Sequence, residues 1–317
     1  MIAFGPIPSR RLGKSLGVNN IPAKICSYSC VYCQLGNTIK LSVERQGFYK
    51  PEKIFKEAEQ KYEKAKSRNE KIDYLTFVPD GEPTLDLNIK EEINLLRQLQ
   101  TPIAVLTNAS LIWSEEVKES LLDVDFVSVK VDAVNERLWK RIDRPHESLI
   151  ISQITDGIVE FSKDFKGTLV TETMLVQGID YTDELKKIAD FLAEVEPDKA
   201  YIAIPTRPPA EEWVKPATEK IINEAYQVFA ETLGTKKVEY LIGYEGNAFA
   251  FTGNIEEDLL SITSVHPMRE EAIRKLLAKA NCEWTVVENL LNRGSLIEIE
   301  YENHTYYMRK LPSRMRR

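Results

Sequence analysis

Two spacings of apolar residues alternate along the first 240 positions. Short apolar or alternating runs predict strands at 15–24, 73–79 ("DYLTFVP"), 102–108, 125–133, 167–178 and 200–205. Between them, apolar residues three and four apart predict helices at 51–66, 89–99, 114–122, 148–162, 182–195 and 217–234. The third of these helices starts at Ser114, a good N-cap, and the last ends at Gly234. The fourth carries a stripe of Ile150, Ile154, Ile158 and Phe161. Six strand–helix units predict a parallel sheet covered by helices. They are too few to close an eight-fold barrel, so the expectation is a partial barrel or an open α/β sheet. In either, chemistry belongs at the carboxyl ends of the strands.

The tail reads differently. Two short helices, 268–280 and 282–294, precede two alternating strands, 295–301 and 305–311, joined by Glu302, Asn303 and His304. Helix, helix, hairpin is the order of a winged helix-turn-helix. The boundary is placed near 250, giving units 1–250 and 251–317. Residues 255–317 hold ten basic and ten acidic residues, and the second tail helix carries Glu283 and Glu288. Phosphate contact favours Lys and Arg, so this unit reads as a substrate-presenting or protein-contacting module rather than a DNA reader.

Composition adds limits. With 43% apolar and 29% charged residues, the 317-residue chain is of ordinary globular type. No apolar run reaches the roughly 20 residues of a membrane span, and the N-terminus lacks the pattern of a signal peptide. A reducing cytoplasm is expected. The net charge of −7 argues against a protein coated in nucleic acid. Yet residues 1–50 hold seven basic residues against Glu44 alone, and the last nine residues hold five with no acid.

Three of the four cysteines, Cys26, Cys30 and Cys33, fall in "CSYSCVYC", just after the first predicted strand. Such spacing suits zinc or an iron–sulfur cluster. Structural zinc wants a fourth ligand, and neither a second C-x-x-C nor an H-x-x-x-H exists here. Cys282 reads as a small core residue of the tail, and His266 as a structural histidine. A [4Fe–4S] cube held by three cysteines leaves one iron open, as a catalytic site requires.

The C-x3-C-x2-C string, with Tyr32 as the aromatic before its last cysteine, resembles the radical S-adenosylmethionine (SAM) superfamily. The resemblance covers roughly residues 1–250 and implies a partial (β/α)6 barrel beside the small winged-helix-like α+β domain. It implies that SAM chelates the open iron and that one electron cleaves it to methionine and a 5′-deoxyadenosyl radical, which abstracts hydrogen. It also implies an external electron donor, flavodoxin or ferredoxin. "PDGEPTL" (79–85) is similar to the family's Gly-Gly-Glu-Pro motif, which binds the SAM amino group, with Asp80 in place of the first glycine. Asp80, Gly81, Glu82 and Pro83 are therefore assigned to cofactor binding, with Tyr32. In "FVSVKVDA", Ser128, Lys130 and Asp132 share one strand face and the valines the other. The polar face is expected inside the barrel, with Ser128 against SAM and a buried Lys130–Asp132 pair at the catalytic centre. Asn108, ending the third strand, joins the cofactor set. Arg207 is expected to meet an anionic substrate group.

"DA…KRIDRP" (132–145) resembles the wyosine-synthase-like branch, whose best-known member modifies tRNA, as does "FGPIPSRRLGKSLGV". Arg141, Arg144 and Pro145 are marked as substrate-loop residues. No cysteine precedes Cys26, so the second cluster of the archaeal synthase has no ligands here. The expectation is an enzyme acting on a macromolecule, tRNA ahead of protein. The competing expectation is an iron–sulfur sensor that binds DNA through the tail.

Overall fold

The computed structural model describes residues 2–310. Most of the predicted basic end, residues 311–317, lies outside them. A hairpin of β1 (Ala3–Ser9) and β2 (Gly13–Val18) opens the chain. The cysteine loop follows, with two short strands, β3 (Ile25–Cys26) and β4 (Lys40–Leu41). Then come α1 (Pro51–Lys66), β5 (Tyr74–Phe77), α2 (Ile89–Leu96), β6 (Ile103–Thr107) and α3 (Glu115–Leu121). These are followed by β7 (Phe126–Lys130), α4 (Glu136–Ile142), α5 (Ile151–Asp164), β8 (Thr168–Met174) and α6 (Glu184–Val195). The alternation closes with β9 (Lys199–Ala203), α7 (Glu219–Leu233) and β10 (Val238–Leu241). The tail runs α8 (Ile255–Val265), β11 (Met268–Arg269), α9 (Glu270–Lys279), α10 (Thr285–Asn292), β12 (Leu296–Tyr301) and β13 (His304–Arg309).

The main sheet has the order β1-β2-β5-β6-β7-β8-β9-β10. It is parallel from β2 onward, with β1 antiparallel at one edge. The two edge strands do not pair among the described residues, so the fold is a partial barrel. All six predicted strands are present, and two edge strands add to them. β1, "AFGPIPS", contains two prolines, which only an edge tolerates. β10, "VEYL", is four residues long with Glu239 and Tyr240 exposed, too short to show a period.

Strand alternation divides the barrel wall. Val127 and Val129 face outward into the main core, against helix residues such as Ile54, Ile93 and Ile158. Inward-facing Ala104, Phe126, Val170 and Tyr201 form a second, small apolar cluster at the barrel floor. Above them Ser128, Lys130, Glu172 and Met174 line a cavity. Each inward face thus runs from apolar floor to polar mouth, at the carboxyl end.

Several local expectations change. Ser114 sits at the N-cap of α3, but its side chain makes no capping bond. Ile150 is 58% exposed because the helix starts one residue later; Ile154, Ile158 and Phe161 do pack inward. The first strand stops at Val18 rather than residue 24. The β12–β13 turn is Glu302–Asn303 alone, both with positive φ, and His304 belongs to β13. Two helices escaped the pattern. α4 is only seven residues long. α8 buries Asp258, Ser261, Thr263 and Ser264, which hides its apolar face; Asp258 is held by Lys61 at 2.6 Å.

The tail forms a three-stranded antiparallel sheet of order β11-β13-β12 with α8–α10. Its core, built on Leu259, Ile262, Leu276, Leu290 and Tyr307, also takes in Phe4 and Ile7 of β1. Edge strand β1 is therefore buried, which explains its apolar residues. The β12–β13 hairpin rests on the loop after β9, where the Tyr301 and Tyr306 hydroxyls donate to the carbonyls of Pro205 and Thr206 at 3.1 and 2.8 Å. Cys282, expected in this core, is half-buried and packs against it.

Candidate active site

The cysteine loop is fixed on two sides. Ser29 and Val31 donate backbone bonds to the carbonyls of Asp143 and Ile142 at the end of α4, at 3.0 and 2.9 Å. Tyr28 is buried edge-on against Trp139, whose indole donates to the Tyr28 hydroxyl at 3.0 Å. On the other side β3 pairs with β4, and the Ser27 and Ser110 hydroxyls are 2.6 Å apart. The stretch between Cys30 and Gly36 folds back through bonds from the Cys33 amide to the Cys30 carbonyl and from the Gly36 amide to the Cys33 carbonyl.

Cys26, Cys30 and Cys33 line one cavity of about 300 Å³ at the carboxyl end of the barrel. Among the described residues no three Cys, His, Asp or Glu side chains converge on a single metal-ion position. The three thiols instead line one cavity, and a four-iron cube takes one cysteine at each of three irons. Their neighbours suit such a group. The Lys24 ammonium, on a residue 2% exposed, donates to Cys33 Sγ at 3.2 Å. Asn108 Nδ2 lies 3.6 Å from Cys26 Sγ and donates to Ser27 Oγ at 2.9 Å. Burial, and then the Glu82 carboxylate, push the Cys26 thiol up to about 12; holding a metal therefore entails loss of a tightly held proton. Burial alone would lower Lys24, but the Cys33 and Cys26 sulfurs outweigh it and hold its ammonium above the ordinary value.

Of the residues predicted from sequence, Tyr32, Gly81, Glu82, Asn108, Ser128, Lys130 and Arg207 line this cavity with the cysteines. Asp80, Pro83 and Asp132 do not. Asp80 turns away to Asn19, which donates to its Oδ2 at 3.2 Å, and burial pushes its carboxyl up to about 6. Pro83 opens a 3₁₀ turn behind the cavity. Asp132 lies past the end of β7, where it accepts from Tyr32 Oη and, at 2.7 Å, from the Met174 amide. The expected Lys130–Asp132 pair is not formed. Lys130 pairs across the ladder with Glu172 at 2.6 Å, and its ammonium lies 4.8 Å from the Tyr32 ring centre. Glu172 sits opposite Lys130 on β8, a neighbour that a strand read singly cannot reveal.

Glu82 is 1% exposed. Its Oε1 accepts from the Thr84 amide and hydroxyl and from Thr107 Oγ1; among the described residues its Oε2 accepts only from the Asn108 amide, at 2.8 Å. A carboxylate offers about four lone-pair sites. Oε2 thus keeps one lone pair for a further donor, while the other bonds clamp the loop after β5 to the end of β6. Gly81 serves a contact not foreseen. A Cβ there would meet the Ile25 carbonyl oxygen at 1.8 Å, so the glycine admits the cysteine strand. Gly81→Ala is expected to displace β3 at a cost of about 1–3 kcal/mol, read as a lower melting temperature together with a lower iron content.

Arg207 is already engaged, to Gln34 Oε1 at 2.7 Å and Glu245 Oε1 at 2.5 Å. Glu245 also meets His266 Nε2 at 2.6 Å, so His266 is the satisfied buried histidine expected. Arg141 contacts the Gly178 carbonyl, Arg144 pairs with Glu211, and Pro145 bridges to Tyr28. None of these three lines the cavity. Lys24, Glu172, Glu245 and Asp143 were missed. The basic character of residues 1–50 was the trace of Lys24, and Asp143 lies within the "KRIDRP" string; Glu172 and Glu245 carry no local sequence signal.

Comparison with known proteins agrees with this geometry. The model of the radical SAM superfamily matches residues 20–192. A UPF0026 protein of Methanocaldococcus jannaschii is 50% identical over 314 residues, covering 99% of this chain and 97% of its own. Among solved structures, Streptococcus suis SuiB bound to S-adenosylmethionine matches at TM-score 0.51 and 15% identity, over 70% of this chain and 49% of that one. TYW1 with a lysine–pyruvate adduct bound matches at TM-score 0.51 and 15% identity, over 68% and 73%. The chain spans about half the length of SuiB, and both structural likenesses are of fold.

Proposed function

This chain belongs to the radical SAM superfamily, and on that premise we propose that it takes a hydrogen atom from a macromolecular substrate, tRNA ahead of protein, at the cavity beside Cys26, Cys30 and Cys33. Its cofactors are a [4Fe–4S] cluster and SAM. Bound together, they supply one-electron cleavage of SAM to methionine and a hydrogen-abstracting 5′-deoxyadenosyl radical. The observation that carries the reading is the placement of three thiols and a cavity of about 300 Å³ at the carboxyl ends of the parallel strands.

In this proposal Cys26, Cys30 and Cys33 hold the cluster. Glu82 Oε2, with its spare lone pair, accepts from the SAM ammonium, while Tyr32, Asn108 and Ser128 wall the rest of that molecule. Lys130, fixed by Glu172, presents a positive charge to its carboxylate. Arg207 faces the substrate. The unit beyond residue 250, resting on the loop that carries Arg207, presents the substrate to the cavity mouth. The basic N-terminal segment favours a polyanion. Electrons come from a separate flavodoxin or ferredoxin in a reducing cytoplasm. Among the described residues no helix is long and apolar enough to cross a membrane.

The test is anaerobic reconstitution followed by SAM and dithionite. Release of 5′-deoxyadenosine above a minus-protein control is the expected result. A cluster that reduces yet leaves SAM intact sinks the enzyme reading and favours the sensor.

A further inference from the structure

A second cavity, of about 130 Å³, lies between the barrel and α8. It shares Arg10, Arg11, Gln34 and Arg207 with the cysteine cavity as a common wall. Arg10 and Arg11 sit on the tight turn of the β1–β2 hairpin, and Arg207 follows β9 on the opposite side. Three guanidinium groups from two remote parts of the chain therefore meet where the cavities join.

Their charges are not balanced. Arg11 and Lys130 share one carboxylate, Glu172. Arg207 pairs with Glu245. Arg10 bonds the carbonyls of Leu241 and Gly243, which neutralise nothing. Among the described residues, the direct ion pairs of these four cations go to two carboxylates, Glu172 and Glu245, while Glu82 lines the cysteine cavity and Asp143 acts on Lys130 through space. His266 adds no positive charge near neutrality, because burial and then Arg207 push it down to about 4. The crowding registers on the arginines. Burial and then Arg207 push Arg10 down to about 10, and burial and then Arg10 do the same to Arg11. Among the described residues Arg207 Nε is buried with no acceptor, a donor left unsatisfied. An oxyanion with several acceptor oxygens meets all of these demands, and the planar guanidinium fork matches phosphate in particular.

We propose that Arg10, Arg11 and Arg207 form a phosphate subsite, which anchors a phosphate group of the substrate beside the SAM cavity. The inference rests on the functional reading above and narrows its substrate to a phosphate-bearing one. A subsite at the shared wall holds a neighbouring part of the same molecule at the cysteine cavity.

The test is calorimetric titration of the reconstituted full chain, with SAM present, by inorganic phosphate, succinate, cytidine 5′-monophosphate and cytidine. Phosphate is expected to bind at one site at least tenfold more tightly than succinate. The nucleotide is expected to bind and cytidine not to bind, which assigns the anchor to a nucleotide phosphate. Binding of inorganic phosphate with no gain for the nucleotide over cytidine assigns it to a non-nucleotide phosphate and still supports the subsite. R207Q and R10Q are each expected to weaken phosphate at least tenfold. R10Q serves where R207Q fails to fold, since Arg10 lies on the β1–β2 turn and bonds backbone carbonyls there. Equal affinity for succinate, no phosphate heat, or unchanged affinity in a folded R10Q variant overturns the subsite. SAM cleavage by the same wild-type preparation is scored separately: phosphate binding without it sinks the functional reading alone, and cleavage without phosphate binding sinks the subsite alone.

Discussion

Cys26→Ala, Cys30→Ala and Cys33→Ala are each expected to drop the iron content of reconstituted protein from about four per chain to below one. Reductive cleavage of SAM should fall to background in all three. The reason is geometric. The three thiols share one cavity wall, and the loop that bears them is held by bonds to Asp143, Ile142 and Ser110 that none of the substitutions touches. Folding should therefore survive, and far-ultraviolet circular dichroism of the iron-free protein should match wild type. Cys282→Ser is the control. That cysteine packs against the tail core, as Trp284 and Leu291 do, so iron content should stay near four. Loss of iron in Cys282→Ser, or full retention in any of the other three, removes the three-thiolate site.

The second large effect is expected at Lys24, which no motif marks. Lys24→Met should lower the reduction potential of the bound cluster on the order of 100 mV while leaving the iron count intact. A full positive charge beside a cluster sulfur favours the reduced, more negative state. At an effective dielectric near 20, removing it some 6 Å from the added electron costs about 2–3 kcal/mol, on the order of 100 mV for one electron. The charge is firmly placed: Nζ donates to Cys33 Sγ at 3.2 Å, and the backbone is pinned by the Lys24 amide on the Asp80 carbonyl at 2.7 Å. Lys24 adopts φ of 63°, a conformation with a real cost for a residue with a side chain. Lys24→Gly separates backbone from charge. It relieves that conformation and should show the same fall in potential, and Lys24→Arg should restore most of it. An electron-paramagnetic-resonance redox titration reads all three; an unchanged potential in Lys24→Met would reject the role.

Much of the barrel was legible because its strands and helices carry their periods locally. Helix α1 shows Ile54, Ala58, Tyr62 and Ala65 at three- and four-residue spacing, all buried, and β7 alternates valines with polar residues. The C-x3-C-x2-C spacing likewise brought three thiols to one cavity, since a short loop keeps them near one another. The misses share one property. β1, β10 and α8 owe their burial or pairing to partners far along the chain, as when Phe4 and Ile7 enter the tail core. Asp80 and Asp132 have the right residue types in the right places, but their side chains turn to Asn19 and Tyr32 instead of the cavity.

The sequence by itself determined the repeating strand–helix units, the carboxyl-end location of the chemistry and the three thiols, because each follows from residues within a few positions of one another. Only the tertiary structure decided who meets whom: Lys24 on Cys33, Glu172 shared between Lys130 and Arg11, and Arg10 brought to Arg207 across nearly two hundred residues. Charge acts through space at several ångströms. Its balance at the cavity is therefore set by how the sheet curls and where the tail unit rests, which a linear pattern does not carry.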